Sequence, residues 1–261
     1  MTDTAPQWGL PSAWLQTFDA ERHRALAQVA LSPARRTMSF DTSSAWLERF
    51  PAQADNAVLC LIHDLQLFSR SPGMDLTGCT AGGQQRQELE LPTWMNVLVH
   101  RLLSLDFDPG TVHQTGRNPL NEAARIAMLV YIASFWRRAG VRPTFTRILV
   151  DKQHRLLSRF PWRTIQSLAD PSFRQLFQWI LGISALEACY SSKGGGEVAV
   201  DMTTGWFVST LREVSTEFGE RVEDTRQLVE LMQRVMFVEQ VFDQHLRFMS
   251  HHLAQDAAET C

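Results

Sequence analysis

The sequence has few cysteines, and none of them lies in a metal-binding pattern. Its four cysteines, Cys60, Cys79, Cys189 and Cys261, are far apart, and no C-x2-C pair occurs. Zinc sites that can be read from sequence take closely spaced cysteine or histidine ligands. We therefore predict no metal site and no cofactor, and we expect the chain to work in a reducing compartment.

Long apolar runs and a secretory leader are also missing from the sequence. No stretch reaches the roughly 18 uninterrupted apolar residues that a membrane-spanning helix needs. Residues 1–10 contain an acid and a proline where a signal peptide carries basic and then apolar residues. We expect an intracellular protein, nuclear or cytoplasmic, that has no contact with a membrane.

Dense positive charge is absent as well. The net charge is −3, the isoelectric point is near 6.2, and the basic clusters are pairs such as Arg35–Arg36 and Arg137–Arg138. A protein that binds nucleic acid by itself usually shows a denser basic stripe. The sequence therefore predicts no direct contact with nucleic acid.

Alternating apolar and polar residues, the mark of a β-strand, do not extend over a useful length anywhere. Apolar residues instead recur at three- and four-residue steps, which indicates helices. We predict an all-α fold: one compact domain of stacked antiparallel helices over residues 1–261, with loose ends at 1–10 and 256–261. Helices are predicted at 11–30, 42–50, 55–68, 92–105, 118–138, 143–160, 163–168, 172–189, 201–218 and 223–255, with loops at 71–90 and 191–197.

Residues 118–138 form the centre of this predicted fold. Asn118 is a good N-cap, and Pro119 suits the first helical position, where its missing N–H costs nothing. Between residues 123 and 136 nearly every side chain is apolar or small, with Arg125 a clear exception. A helix that is apolar on all sides is buried on all sides. We expect this helix to be the central helix of the core.

Three apolar segments share their order and spacing with a known family of helical domains. Residues 122–131 read EAARIAMLVY, residues 176–188 read LFQWILGISALEA, and residues 206–211 read WFVSTL. They resemble the E-A-x-R-x-A-x-L-[IL]-Y, L-x-x-W-x-L-x-I-G-[GA]-x-A-A and W-F-V-x-x-L patterns of the regulatory (middle-homology) domain of fungal-specific transcription factors. The resemblance covers roughly residues 45–250 and implies a helical regulatory domain of the zinc-cluster type.

The chain departs from that family in two ways. Ser184 stands where the family has glycine, and Glu187 replaces a small apolar residue. The six-cysteine zinc cluster and its basic linker are absent. The resemblance therefore implies a regulatory protein without a DNA-binding module, which acts through a zinc-cluster transcription factor or as a homodimer. A small apolar effector bound between helices is also implied.

Two charged residues on apolar helices are candidate site residues, each with two interpretations. Arg125 either pairs with Glu122 one turn earlier or anchors a carboxylate or phosphate of an effector. Glu187 either reaches solvent or a basic side chain near the helix end, or it lies in an apolar cavity. In the cavity its pKa would be raised and it could serve as a general acid.

Three aromatic residues, Tyr131, Trp179 and Trp206, complete the set of candidates. They either pack in the core or form the wall of a ligand pocket between helices. The polar residues near the end of the chain are interpreted as a solvated helix face: Glu239, Asp243, His245, His251 and His252.

An enzyme is the alternative to a regulatory protein. The same helical fold could enclose an apolar substrate for a cyclase, isomerase or dehydratase of fungal secondary metabolism. Glu187 or Arg125 would then be the catalytic polar group. A third possibility is a folded relic that has lost its original role.

Overall fold

The described part of this computed structural model consists of α-helices with a few turn and loop residues between them. It covers residues 56–70, 85–105, 119–160, 162, 171–191 and 202–259, and no strand occurs within these ranges. The eight helices are α1 (Asn56–Arg70), α2 (Gln85–Ser104), α3 (Pro119–Arg138), α4 (Thr146–Leu157), α5 (Pro171–Ser191), α6 (Met202–Glu217), α7 (Thr225–Gln233) and α8 (Glu239–Glu259). The all-α prediction is confirmed. The helices predicted at 11–30, 42–50 and 163–168 lie outside the described residues.

Helix α3 lies at the centre of the packing. Every side chain from residue 120 to residue 135 is buried except Arg125. The helix contacts α1, α2, α4, α5 and α8. Such complete burial follows from its sequence, which offers no polar face to turn toward solvent.

Helix α5 is the second central element, and all its residues from 176 to 189 are buried. It contacts α3, α4, α6, α7 and α8. Gly182 lets α7 approach closely, because a Cβ atom at this position would overlap the Met232 sulfur. Together, α3 and α5 contact every other described helix.

None of the described helices is long and apolar enough to cross a bilayer.

The predicted single helix over 223–255 is wrong, because the chain bends between α7 and α8. The bend frees backbone carbonyls, and two distant side chains donate hydrogen bonds to them. Gln66 Nε2 lies 2.7 Å from the carbonyl of Val235, and Trp179 Nε1 lies 2.8 Å from that of Met236. Freed carbonyls inside a core need such donors.

Helix α2 begins at Gln85, so the predicted loop over 71–90 extends too far. Residues 85–91 read QRQELEL, and glutamine, arginine, glutamate and leucine all favour helices. Pro92 consequently lies within the helix rather than near its start.

Helix α4 is shorter than predicted, and one side chain that was predicted to be buried is exposed. The apolar spacing over residues 143–160 predicts that Ile148, Leu149, Leu156 and Leu157 face the core, yet Ile148 is 66% exposed. The buried side chains of α4 are Thr146, Val150, Gln153 and Leu157. Two of these are polar, and Gln153 donates a 3.0 Å hydrogen bond to the carbonyl of Ala123 on α3. Apolar spacing therefore placed Ile148 wrongly, whereas Leu157 is buried and Leu149 and Leu156 pack against the core as predicted.

Candidate functional site

Glu187 lies in the last turns of α5, and its carboxylate is fully buried against α3. The guanidinium of Arg137, from the last turn of α3, donates a hydrogen bond to each of its two oxygens. Nη1 lies 2.9 Å from Oε2, and Nη2 lies 2.8 Å from Oε1. The Arg137 side chain is 15% exposed and that of Glu187 is 0% exposed. This is a bidentate ion pair, the strongest form of carboxylate binding by a side chain.

Three further side chains complete this group, which we call the Glu187 cluster: Glu187, Arg137, His245, Tyr190 and Ser191. His245 comes from α8, and its Nε2 lies 2.8 Å from Arg137 Nη1 and 3.3 Å from Glu187 Oε2. The Tyr190 ring stacks on the His245 ring at 4.4 Å, and Arg137 Cζ lies 4.4 Å over the Tyr190 ring. Ser191 Oγ donates to Glu187 Oε1 at 3.1 Å. The cluster thus joins one end of α3 and one end of α5 to α8.

The pKa of Glu187 lies below its ordinary value. Burial, the largest single influence, acts to raise this pKa. Hydrogen bonds from His245 and Arg137, together with the Arg137 charge, outweigh it. Glu187 is therefore ionised at neutral pH. Of its two interpretations, the pairing with a basic side chain is observed, with Arg137 as the partner. The raised pKa of the cavity interpretation is wrong, because this cation keeps the carboxyl group ionised and without a proton to donate.

His245 is 2% exposed, so the predicted solvated face is wrong at this position. Burial, aided by the Arg137 charge, holds the pKa of His245 below its ordinary value, although Glu187 acts to raise it. His245 Nε2 accepts from Arg137 Nη1 only when it is unprotonated and donates to Glu187 Oε2 only when it is protonated, so the two contacts require different tautomers of the ring. Among the described residues, the buried Nδ1 of this ring has no hydrogen-bond partner.

Arg125 forms the pair with Glu122 that was one of its two interpretations. Its Nε and Nη2 lie 2.6 and 2.7 Å from the two Glu122 oxygens. Lys152 Nζ approaches the same carboxylate at 2.6 Å, so one acid holds two cations and links α3 to α4. The Glu122 carboxylate therefore occupies the Arg125 guanidinium that an effector would need.

Tyr131 and Trp179 meet inside the core, with their ring centroids 5.9 Å apart. Burial raises the pKa of the Tyr131 phenol, whose oxygen lies 2.9 Å from Ser69 Oγ. The indole of Trp179 donates to the backbone carbonyl at the bend between α7 and α8. Both residues are packed on several sides and satisfied at their polar ends.

Trp206 has different neighbours from the other candidates. It lies on α6, partly buried, with its ring 4.8 Å from that of His154 and 5.1 Å from that of Phe207. Of the five candidates, only Tyr131 and Trp179 contact each other. Arg125, Glu187 and Trp206 lie in three other environments.

Sequence reasoning missed four members of the Glu187 cluster. Arg137 and Tyr190 gave no signal, because their partners come from other helices. His245 did give one: it follows Phe242 by three residues and precedes Met249 by four, and both of those are buried. Its position on the apolar stripe of α8 could therefore have been predicted. Within the described ranges, no three His, Cys, Asp or Glu side chains are grouped so that they could hold a metal ion.

No family model, curated protein or solved structure matches the chain. The resemblance to the fungal regulatory domain therefore depends on its three segments. These lie on α3, α5 and α6, and α5 contacts both of the other helices.

Proposed function

We propose that this protein is a transcription-factor-like regulatory domain that acts through contact with another protein rather than by catalysis. The observation that carries the proposal is the state of Glu187, the most promising acid for the enzyme alternative. It is fully buried and bound at both oxygens by Arg137. In this proposal Glu187 holds helices together. A general acid would instead carry a proton and contact a substrate.

The arrangement of the three resembling segments supports the regulatory interpretation. Their helices pack on one another through α5, so the residues that carry the resemblance form one continuous core. This sequence contains no six-cysteine zinc-cluster pattern beside these segments. DNA would therefore be read by a partner, such as a zinc-cluster transcription factor, and not by this chain.

Regulation in such a domain works through a shift between helix arrangements. The Glu187 cluster joins α3, α5 and α8 through short polar contacts. A movement of one of these helices would therefore be transmitted to the other two. A partner that favours one arrangement would stabilise or break this cluster as a unit. A small apolar effector bound between helices would act on the same equilibrium.

The enzyme alternative has lost its specific support. A cyclase, isomerase or dehydratase would need a proton donor or a free cation in contact with the substrate. Glu187 is ionised and occupied, and Arg125 is occupied by Glu122. We therefore propose one function only.

Native mass spectrometry of the tagged protein, purified from its natural host, tests this function. We expect a second polypeptide at a stoichiometric ratio, and bound zinc in the complex but not in the isolated chain. A homodimer would support regulation by contact while excluding the zinc-cluster partner. A partnerless protein that turns over a small molecule, and loses that turnover in Glu187→Gln, would contradict the proposal.

A further inference from the structure

The exposed arginines within the described residues fall into two groups. Five of them contact a carboxylate: Arg101, Arg221, Arg226, Arg234 and Arg247. Five others are exposed and form no ion pair with any described residue: Arg138, Arg142, Arg147, Arg155 and Arg159. All members of the second group lie within one segment, from the end of α3 to just beyond α4. A protein surface normally mixes charges of both signs, so this separation distinguishes the segment from the other described parts of the chain.

The segment also differs in net charge from the rest of the chain. Residues 138–160 carry six Lys and Arg side chains against one acid, which gives +5. The whole chain carries −3, so the remainder carries −8. Of the six cations only Lys152 is paired with a described carboxylate, that of Glu122, and the excess positive charge of the segment creates a local potential that attracts anions.

The geometry of α4 places part of this charge on one face. At about 100° per residue, Arg147, Asp151 and Arg155 fall within an arc of about 80°, whose centre is about 130° from the centre of the buried side. Arg159 follows just after the helix end. The Arg155 Nε donates a 3.3 Å hydrogen bond to the backbone carbonyl of Asp151. No carboxylate of the described residues lies within ion-pair distance of Arg147, Arg155 or Arg159.

Two large apolar side chains are exposed among the arginines. Ile148 on α4 is 66% exposed, and Val141 in the connection before α4 is 54% exposed. An apolar side chain beside unpaired cations favours a protein partner, because phosphate backbones offer nothing for it to contact. The exposed Asp151 carboxylate within the same arc would also repel phosphates.

We propose that the exposed face of α4, with Arg147, Ile148, Arg155 and Arg159, binds an acidic segment of a partner protein that carries at least one large apolar side chain. The carboxylates of the segment pair with the arginines, and its apolar side chain covers Ile148. This inference deepens the proposed function by giving the chemistry of the partner. The inference rests on the proposed function at one point, namely that the partner is a protein.

A random peptide library displayed on phage and selected on the whole protein tests the proposal. We expect enrichment of peptides that combine several Asp or Glu residues with a large apolar residue. The affinity of an enriched peptide is then measured by fluorescence anisotropy against Arg147→Glu/Arg155→Glu. Reversal of two steering charges should weaken binding by about tenfold or more. Binding should also weaken from low salt to about 0.15 M, where the Debye length is about 8 Å.

The matched control is Arg221→Glu/Arg226→Glu, which reverses two exposed arginines elsewhere. This control should leave peptide binding unchanged. Enriched peptides without acidic bias, an equal loss in both variants, or no enrichment at all would overturn the proposal. So would a DNA duplex that binds the α4 face more tightly than the peptides do.

Failure of this inference can be separated from failure of the proposed function. A stoichiometric partner that also co-purifies with Arg147→Glu/Arg155→Glu would contradict the docking surface and leave the regulatory function standing. Absence of any partner, together with acidic peptides that bind the α4 face, would support the surface and contradict the regulatory function.

Discussion

Replacing Arg137 with methionine would remove the guanidinium that binds both oxygens of the buried Glu187 carboxylate. Its remaining neighbours would be a neutral His245 ring and the Ser191 hydroxyl. Removal of one partner from a buried ion pair costs about 3–5 kcal/mol, because the other charge stays buried without compensation. Since Glu187 is 0% exposed, we expect a loss in the upper half of that range.

The reverse change, Glu187→Leu, should cost less. The abandoned guanidinium belongs to a side chain that is already 15% exposed, so it can move toward water. The double variant Arg137→Met/Glu187→Leu replaces the pair with apolar groups of similar length. Such replacements are often close to neutral. We therefore expect a double loss well below the sum of the single losses, with a coupling of about 2–3 kcal/mol.

Urea unfolding followed by circular dichroism and tryptophan fluorescence measures these free energies. Arg247→Met is the matched control, since Arg247 lies 3.0 Å from Asp243 in an exposed pair. This control should cost about 0–1 kcal/mol. If Arg137→Met costs no more than the control, or if the two single losses simply add, Glu187 is not held by Arg137 and the account of the cluster is refuted.

Three further predictions follow from packing and titration. Stability should fall as the pH drops below about 6.5, and again below about 4.5, because His245 and Glu187 have lower pKa values when folded than when unfolded. Urea midpoints across pH should show the first fall reduced in His245→Gln, and an unchanged profile would contradict this. Gly182→Ala should lower the free energy of unfolding by about 1–3 kcal/mol, because the added Cβ overlaps with Met232. Thermal unfolding should show part of this loss recovered in Gly182→Ala/Met232→Ala, and an equal contribution of Gly182→Ala with and without Met232 would refute the contact. Trp179→Phe should cost about 1–3 kcal/mol in urea unfolding by leaving a buried carbonyl unpaired, and a neutral result would mean that water replaces the indole.

The central helices could be predicted because their sequences leave few alternatives. Residues 118–138 and 172–189 are apolar on all sides, and the observed α3 and α5 match these bounds within two residues. The bend after α7 could not be predicted in this way. Its freed carbonyls are satisfied by Gln66 and Trp179, which are far away in the sequence. Local periodicity carries no information about such donors.

The candidate site was predictable in part. Glu187 stood out as an acid on an apolar helix, but its partner lies 50 residues earlier in the chain. The pKa of a buried acid depends on that partner, so the sequence alone left the sign of the shift open. His245 was misplaced because the predicted single helix over 223–255 obscured the apolar stripe of α8. The exposed face of α4 was missed because Ile148 was assigned to the core.

The ionisation state of Glu187 tests the central claim most directly. Carboxyl carbon NMR on protein labelled at glutamate would follow this group across pH, with Glu187→Gln as the assignment control. The account predicts that Glu187 stays ionised as the pH falls through 4.5, the ordinary value for glutamate. A Glu187 signal that titrates above that value would contradict the account and restore the general acid of the enzyme alternative.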